Sequence, residues 1–404
     1  MKKLGVLFLV LLLTLSAAGC GGGSKPAENS PTGAAPAGAV IKVASVTPLS
    51  GSQAAVGESI KNGAQMALEE RVEEFKSLGF DLQFSPQDDQ ADPKVGVSVA
   101  QKLIVDNDLL AVVGHWNSGV AIPSSEVYAN GNLAMVSPAN TANDVTDREL
   151  PNVNRICARD DAQGPAGADY AFTELGIKSI FIIQDKTTYG QGVADEFRKQ
   201  FEAVGGTVLG YEGITAGESD FSAVLEQVRA TKAEAVYFGG IYPEGSLLIK
   251  QLDEKGIKVK FIGPDGMDSS EVIKIAGDSA IGSVYTSLAA DISGTTEGKA
   301  FIEKYTQKFS KAPEAYSSYG YDAMNVTLNA IVEAAKGNGG QKPTREQVVA
   351  AARATSGFKG VATNVTFNKR GDNTEASIYV YNFVEAKYPP TVAKQIPAAG
   401  FLKD

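Results

Sequence analysis

The sequence predicts an α/β protein built on two mostly parallel sheets, each covered by helices on both faces. Two observations predict the sheets and a third predicts that there are two. Short apolar, strand-like runs alternate with amphipathic helical stretches through most of the 404 residues. That alternation, at this spacing, belongs to parallel strands joined by crossover helices. The chain beyond residue 39 is too long for one ordinary core, so it divides into two lobes.

The first residues stand outside that body. Lys2 and Lys3 precede the apolar run Leu4–Leu13 and then LSAAGC, ending at Cys20. A basic start, a short apolar run and small residues before a cut make a secretion signal over 1–19. The run falls short of the roughly 20 apolar residues that a membrane-spanning helix needs. Ala17, Ala18 and Gly19 before Cys20 resemble a bacterial lipobox, with Cys20 acylated and anchoring the protein to the membrane. Residues 20–39, rich in Gly, Ser, Pro and Ala, read as a flexible tether.

The elements then follow in order. IKVASV (41–46) precedes a helix expected over Ser59–Lys76. DLQFSPQDD (81–89) precedes a helix from Pro93 to Val105. LLAVVG (109–114) precedes one over Ala121–Asn130, and LAMVSP (133–138) follows. SIFIIQD (179–185), AEAVYFGG (233–240) and VKFIGPD (259–265) each open into a loop bearing Gly, Pro, Ser or Thr. In parallel sheets ligands bind beyond the carboxyl ends of the strands, where such loops converge. Small residues there let backbone N–H groups approach a ligand, which suits a small polar molecule.

Several chemistries are missing. The chain has one His, His115, so it holds no His-rich metal site, and no G-x-S-x-G elbow surrounds Ser118. GTTEGK (294–299) is one residue short between its glycines for a phosphate loop, and Ala300 stands where Ser or Thr holds the metal. YGQG (189–192) lacks the third glycine of a dinucleotide fingerprint. No enzyme activity, metal or cofactor is expected. The formal charge of −10 excludes nucleic acid as a partner. With Cys20 modified, Cys157 is left alone and reads as a small buried hydrophobe. His115 is expected to be structural, closing its strand or bonding a neighbouring loop.

Eight motifs in order, DDQADPK (88–94), GHWNS (114–118), SPANTA (137–142), DAQGPA (161–166), DKTTYGQG (185–192), GITAGESDFS (213–222), VYFGGIYPE (236–244) and GPDG (263–266), resemble the bacterial branched-chain amino-acid-binding proteins of ABC transporters. The resemblance runs from about Ile41 to Phe383. It implies a two-lobed Venus-flytrap fold of the type I periplasmic binding proteins, with three crossovers expected near Arg159, Ser287 and Val365. The first lobe then covers 40–159 plus 288–365, and the second covers 160–287 plus 366–404. The resemblance also implies a ligand carboxylate held by Ser118 and Thr141. It gives the ammonium to the carbonyl of Ala139 and the side chain of Asp265, and makes Tyr189 the capping aromatic. Trp116 becomes an apolar wall for the ligand side chain. The implied partners are an aliphatic amino acid, an ABC permease and, through Cys20, the membrane.

Some positions depart from the family pattern. Ala91 and Asn117 stand where disulfide-bearing members carry Cys. Ile241, counted with the ligand-binding residues, stands where a Tyr often follows the GG, with Tyr242 next, and Val56 where an aromatic can stack on the ligand. Asp265 replaces the usual Glu, and a shorter acid sits farther from an ammonium or meets it through water. Tyr316 and Tyr319 in AYSSYGYD (315–322) are candidates to compensate. Two alternatives stay open: the same role for an amide, urea or aromatic acid, or a sensing module reporting to a membrane receptor.

Overall fold

The structure is a computed structural model that describes residues 38–401. The expected signal peptide, Cys20 and nearly all of the tether lie outside the described residues. Among the described residues no helix is long and apolar enough to cross a membrane.

Strands β1 (Ala39–Thr47), β2 (Phe80–Asp88), β3 (Leu109–Gly114), β4 (Ala134–Ser137) and β5 (Val153–Arg155) form a parallel sheet in the order β2-β1-β3-β4-β5. The helices between them are α1 (Ala54–Glu70), α2 (Val72–Ser77), α3 (Pro93–Ile104), α4 (Ser118–Asn130) and the single turn α5 (Asp144–Asp147). β3, the central strand of this sheet, is buried along its whole length, as a strand covered on both faces must be. α3 starts where Pro93 pre-sets the first turn and the Asp92 carboxylate accepts the N–H groups of Lys94 and Val95.

The second sheet has the order β7-β6-β8-β9-β10-β13-β14. It comprises β6 (Ser179–Gln184), β7 (Thr207–Gly213), β8 (Ala235–Gly239), β9 (Lys260–Gly263) and β10 (Val284–Ser287), all parallel, then β13 (Ser377–Asn382) and β14 (Thr391–Pro397), which run antiparallel. Between these two stretches the two-residue strands β11 (Phe358–Lys359) and β12 (Asn364–Val365) pair with each other. The helices of the second sheet are α6 (Asp160–Thr173), α7 (Thr188–Ala203), α8 (Ser222–Thr231), α9 (Tyr242–Glu254) and α10 (Glu271–Ala276). After β10 the chain returns to the first sheet through α11 (Thr296–Phe309), α12 (Ala315–Gly337) and α13 (Arg345–Arg353), with α12 and α13 against β3 and β4.

α12 lies so close along α1 that side chains are excluded at the contact. A Cβ on Gly63 would stand 1.8 Å from the Ser317 carbonyl oxygen, and one on Gly320 would stand 2.3 Å from that of Ile60. The hydroxyls of Ser59 and Ser317 bond at 2.8 Å across the same seam. The covalently distant return segment is thereby fixed to the first sheet.

Three elements differ from the sequence reading. α1 begins at Ala54, five residues before Ser59, and pauses at Arg71. α4 begins at Ser118 rather than Ala121, which puts that serine in the first turn of a helix. The segment just past Val365, where the third crossing is expected, still lies on the first sheet. Residues 366–373 stay against the end of β5, where Arg155 N–H donates to Gly371 O at 2.9 Å and Asn373 Nδ2 donates to Ile156 O at 2.9 Å. Asp372 pairs there with the buried Arg155 at 2.7 Å.

Candidate ligand site between the two sheets

Each sheet has one point where the strand order reverses. In the first it lies between β1 and β3, and in the second between β6 and β8. Connections leave such a point in opposite directions and open a crevice beyond the strand ends. The loop after β3 carries Trp116 and Ser118, the one after β6 carries Asp185 and Tyr189, and the one after β8 carries Ile241 and Tyr242. Both crevices face one cleft.

The first lobe's loops are fixed from behind. Asn140 Oδ1 accepts His115 N–H at 3.0 Å and the Ser137 hydroxyl at 2.7 Å, while its Nδ2 donates to Trp116 O at 2.9 Å. The fully buried His115 ring bonds Asp89 Oδ2 at 2.7 Å and the Tyr128 hydroxyl at 3.2 Å. His115 therefore ties the β2 and β3 loops to α4 and is not directed at a ligand. Ser118 Oγ accepts the Ala142 N–H at 3.3 Å, which leaves its own proton free to donate.

The cleft encloses a cavity of about 330 Å³, at the small end of the range for ligand sites. Its wall includes Trp116, Ser118, Ala139, Tyr189, Ile241 and Asp265, so six of the seven residues expected at the ligand come together there. Thr141 does not line the open volume, but its buried Oγ1 has no hydrogen-bond partner among the described residues. Ala91, Pro93 and Ala216 join Trp116 and Ile241 as apolar wall. The Trp116 ring packs 6.2 Å from that of Tyr242. Val56 is buried in α1 and does not line this cavity.

Asp265 is met from both lobes. Tyr189 donates to its Oδ1 at 2.6 Å, and Tyr316, projecting from α12, donates to its Oδ2. Tyr189 also accepts the Gly266 N–H at 2.8 Å. Two phenols thus fill the space that a longer acid would reach across. Tyr319 turns elsewhere, to the Leu288 carbonyl. Further bonds close the cleft: Tyr242 hydroxyl to Ser52 O at 2.7 Å, and Asn143 Nδ2 to Glu196 Oε1 at 3.1 Å.

The residue that the sequence reading missed is Asp160. It is the first residue of α6 and 1 % exposed, and its N–H donates to Thr141 O at 2.9 Å. Thr141 is near enough to favour its charge, but no hydrogen bond of good geometry reaches either carboxylate oxygen among the described residues. Burial, and then the neighbouring Asp265 carboxylate, push its pKa well above the ordinary 3.8. Burial likewise raises Asp265, against the opposing pull of the two tyrosine hydroxyls. Gln163 is also buried, near enough to Asp265 to favour its charge but outside good hydrogen-bond geometry. Asp160 does not line the open volume, but its carboxylate lies close enough to that of Asp265 to feel its charge, and a cation with several N–H donors would suit such a buried pair. Cys157, beneath this group, is 1 % exposed, and burial pushes its thiol pKa up, so it packs and does not react.

At the other end of the cavity, Asn117 Nδ2 donates to Gln53 Oε1 at 2.8 Å. Asp185 is 1 % exposed there, and burial lifts its carboxyl to about 6. Its Oδ1 is occupied by the backbone N–H and hydroxyl of Thr187, which turns the chain into α7. No group of three or more metal-ligating side chains occurs among the described residues.

Residues 40–387 match the family model described as periplasmic binding protein. The chain is 37% identical over 332 residues to Leu/Ile/Val-binding protein homolog 2 of Brucella abortus, covering 82% of this chain and 87% of that protein. It is also 37% identical over 347 residues to the Leu/Ile/Val-binding protein BraC3 of Rhizobium johnstonii, covering 86% and 92%. Among solved structures it resembles a leucine-binding protein, LivK, of Thermotoga maritima, with a TM-score of 0.80, 28% identity, and coverage of 88% of this chain and 98% of that one. A likeness to LivJ of Streptococcus pneumoniae, solved with isoleucine, has a TM-score of 0.79 at 23% identity, covers 88% and 99%, and speaks for the fold alone. With its two parallel sheets, its cleft at both switch points and these relatives, the chain belongs to the periplasmic binding protein family, whose members bind solutes outside the cytoplasm and are not enzymes.

Proposed function

We propose that this protein is a lipid-anchored, extracytoplasmic binding protein that captures an aliphatic, branched-chain amino acid and delivers it to an ABC permease. One observation carries the reading: a single small cavity is lined by the Ser118 hydroxyl, the buried Asp265 carboxylate and an apolar wall, with Asp160 and Thr141 buried behind that lining. Ser118 and the first N–H groups of α4, with Thr141, receive the carboxylate, since a helix N-terminus offers free donors and a favourable dipole. Asp160, Asp265 and the Ala139 carbonyl receive the ammonium, Tyr189 caps the ligand, and Trp116 and Ile241 bound its side chain.

The lobes of this reading are 40–159 with 288 to about 373, and 160–287 with the remainder. The relatives named for leucine, isoleucine and valine support the ligand class. The paired carboxylates favour it over a urea, an amide or a plain aromatic acid, none of which brings a cation. A sensing role has no observation of its own in its favour.

Thermal-shift screening against the amino acids and small amides tests the ligand class. Leucine, isoleucine or valine should raise the melting temperature most, and stabilisation by an uncharged amide alone would sink the reading. The anchor is tested separately. Cys20→Ala should move the protein from the membrane fraction to the soluble or secreted one, and a variant that stays with the membrane contradicts acylation at Cys20.

A further inference from the structure

Arg155, which pins residues 366–373 to the end of β5 through Asp372, is fully buried and also reaches the loop after β4. Its Nη1 lies 3.0, 2.9 and 2.8 Å from the carbonyl oxygens of Asn140, Thr141 and Ala142. Its Nε donates to Asp372 Oδ1 at 2.7 Å, and its Nη2 meets the Thr146 hydroxyl. Asp372 also accepts the Thr146 hydroxyl at 2.7 Å, and its Oδ2 faces Arg159 Nη1 at 3.4 Å. Both guanidinium groups hold the carboxyl of Asp372 below the ordinary 3.8 despite burial, so the anchor stays charged.

The three carbonyls belong to the loop that carries Thr141 and the Ala142 N–H, which in turn orients Ser118. Carbonyls drawn toward a buried cation turn their peptide dipoles so that the positive ends point away from it. We infer that Arg155 is a positioning residue for the ligand's carboxylate, acting through the 140–142 peptides and held in place by Asp372. It never touches the ligand. The inference rests on the proposed reading that a carboxylate sits at Ser118 and Thr141. Lys cannot replace Arg here, because one ammonium offers three donors from a single point and cannot span three carbonyls, a carboxylate and a hydroxyl.

The test is calorimetric titration of leucine, leucinamide and alanine against the parent, Arg155→Lys and Asp372→Asn. A positioning role predicts that the parent's preference for leucine over leucinamide shrinks at least tenfold in Arg155→Lys, about threefold in Asp372→Asn, while the leucine-to-alanine ratio stays put. A merely structural role lowers the melting temperature and weakens leucine and leucinamide by one common factor, and that result overturns the proposal. If Arg155→Lys does not fold, Asp372→Asn decides alone: an unchanged leucine-to-leucinamide ratio overturns it. A parent that binds leucinamide as well as leucine overturns the carboxylate reading itself, and this proposal with it.

Discussion

Asp160→Asn is expected to weaken every α-amino acid by about a hundredfold or more while raising the melting temperature of the ligand-free protein. The two effects have one cause. Both oxygens of Asp160 lie buried without a hydrogen bond of good geometry, and the Asp265 charge beside them makes ionisation still costlier than Thr141 relieves. A carboxyl whose pKa is raised in the folded state destabilises that state at neutral pH relative to the unfolded chain, where it ionises freely. That cost shrinks as the pH falls from the raised value and is gone only below the ordinary 3.8, or when the charge is removed by mutation. An ammonium satisfies both oxygens at once, and removing one member of a buried charge pair costs roughly 2–5 kcal/mol of binding. Asp265→Asn should act in the same direction but more weakly, about tenfold, because two tyrosine hydroxyls already occupy that carboxylate. Since all amino acids share the ammonium, neither change should reorder leucine, valine, alanine and phenylalanine in calorimetric titration. Unaltered affinity in Asp160→Asn would show that no cation sits there.

Trp116→Ala should reorder them. The indole is 6 % exposed, lines the cavity and packs against Tyr242 of the opposite lobe, so it serves the ligand side chain and the closed cleft together. Truncating a buried aromatic of this size costs roughly 3–5 kcal/mol where the surroundings do not collapse. Leucine, which would reach the vacated wall, should lose about a hundredfold or more. Alanine, whose methyl stops short of it, should lose only the part due to weaker closure, about tenfold. Equal losses for leucine and alanine would mean that Trp116 stabilises closure and does not select the side chain.

The loops were legible because each motif follows a strand that periodicity alone identifies, and the switch-point geometry carries those loops to the cleft. Ser118, Ala139, Tyr189 and Asp265 reached the cavity for that reason. Asp160 escaped because an acid in the first turn of a helix reads as ordinary dipole compensation, and its orphaned oxygens are a property of packing. The direction of Tyr316 was likewise set by the Gly63 and Gly320 contact between α1 and α12, which brings that phenol to Asp265. β7 and β14 were not read as strands because both lie at sheet edges, where half-exposed or exposed side chains blur the alternation. The hold of residues 366–373 on β5 was not legible, because Arg155 and Asp372 are separated by 217 positions and betray nothing of each other locally.

The central claim is that one cavity reads both ends of an amino acid. Calorimetric titration of the parent protein with leucine, 4-methylpentanoate and 3-methylbutylamine tests it most directly, because the last two keep the branched side chain and lack the ammonium or the carboxylate. Leucine should bind, and each fragment should bind at least a hundredfold more weakly. Binding of 4-methylpentanoate as tight as that of leucine would contradict the account, since Asp160 and Asp265 would then face no cation.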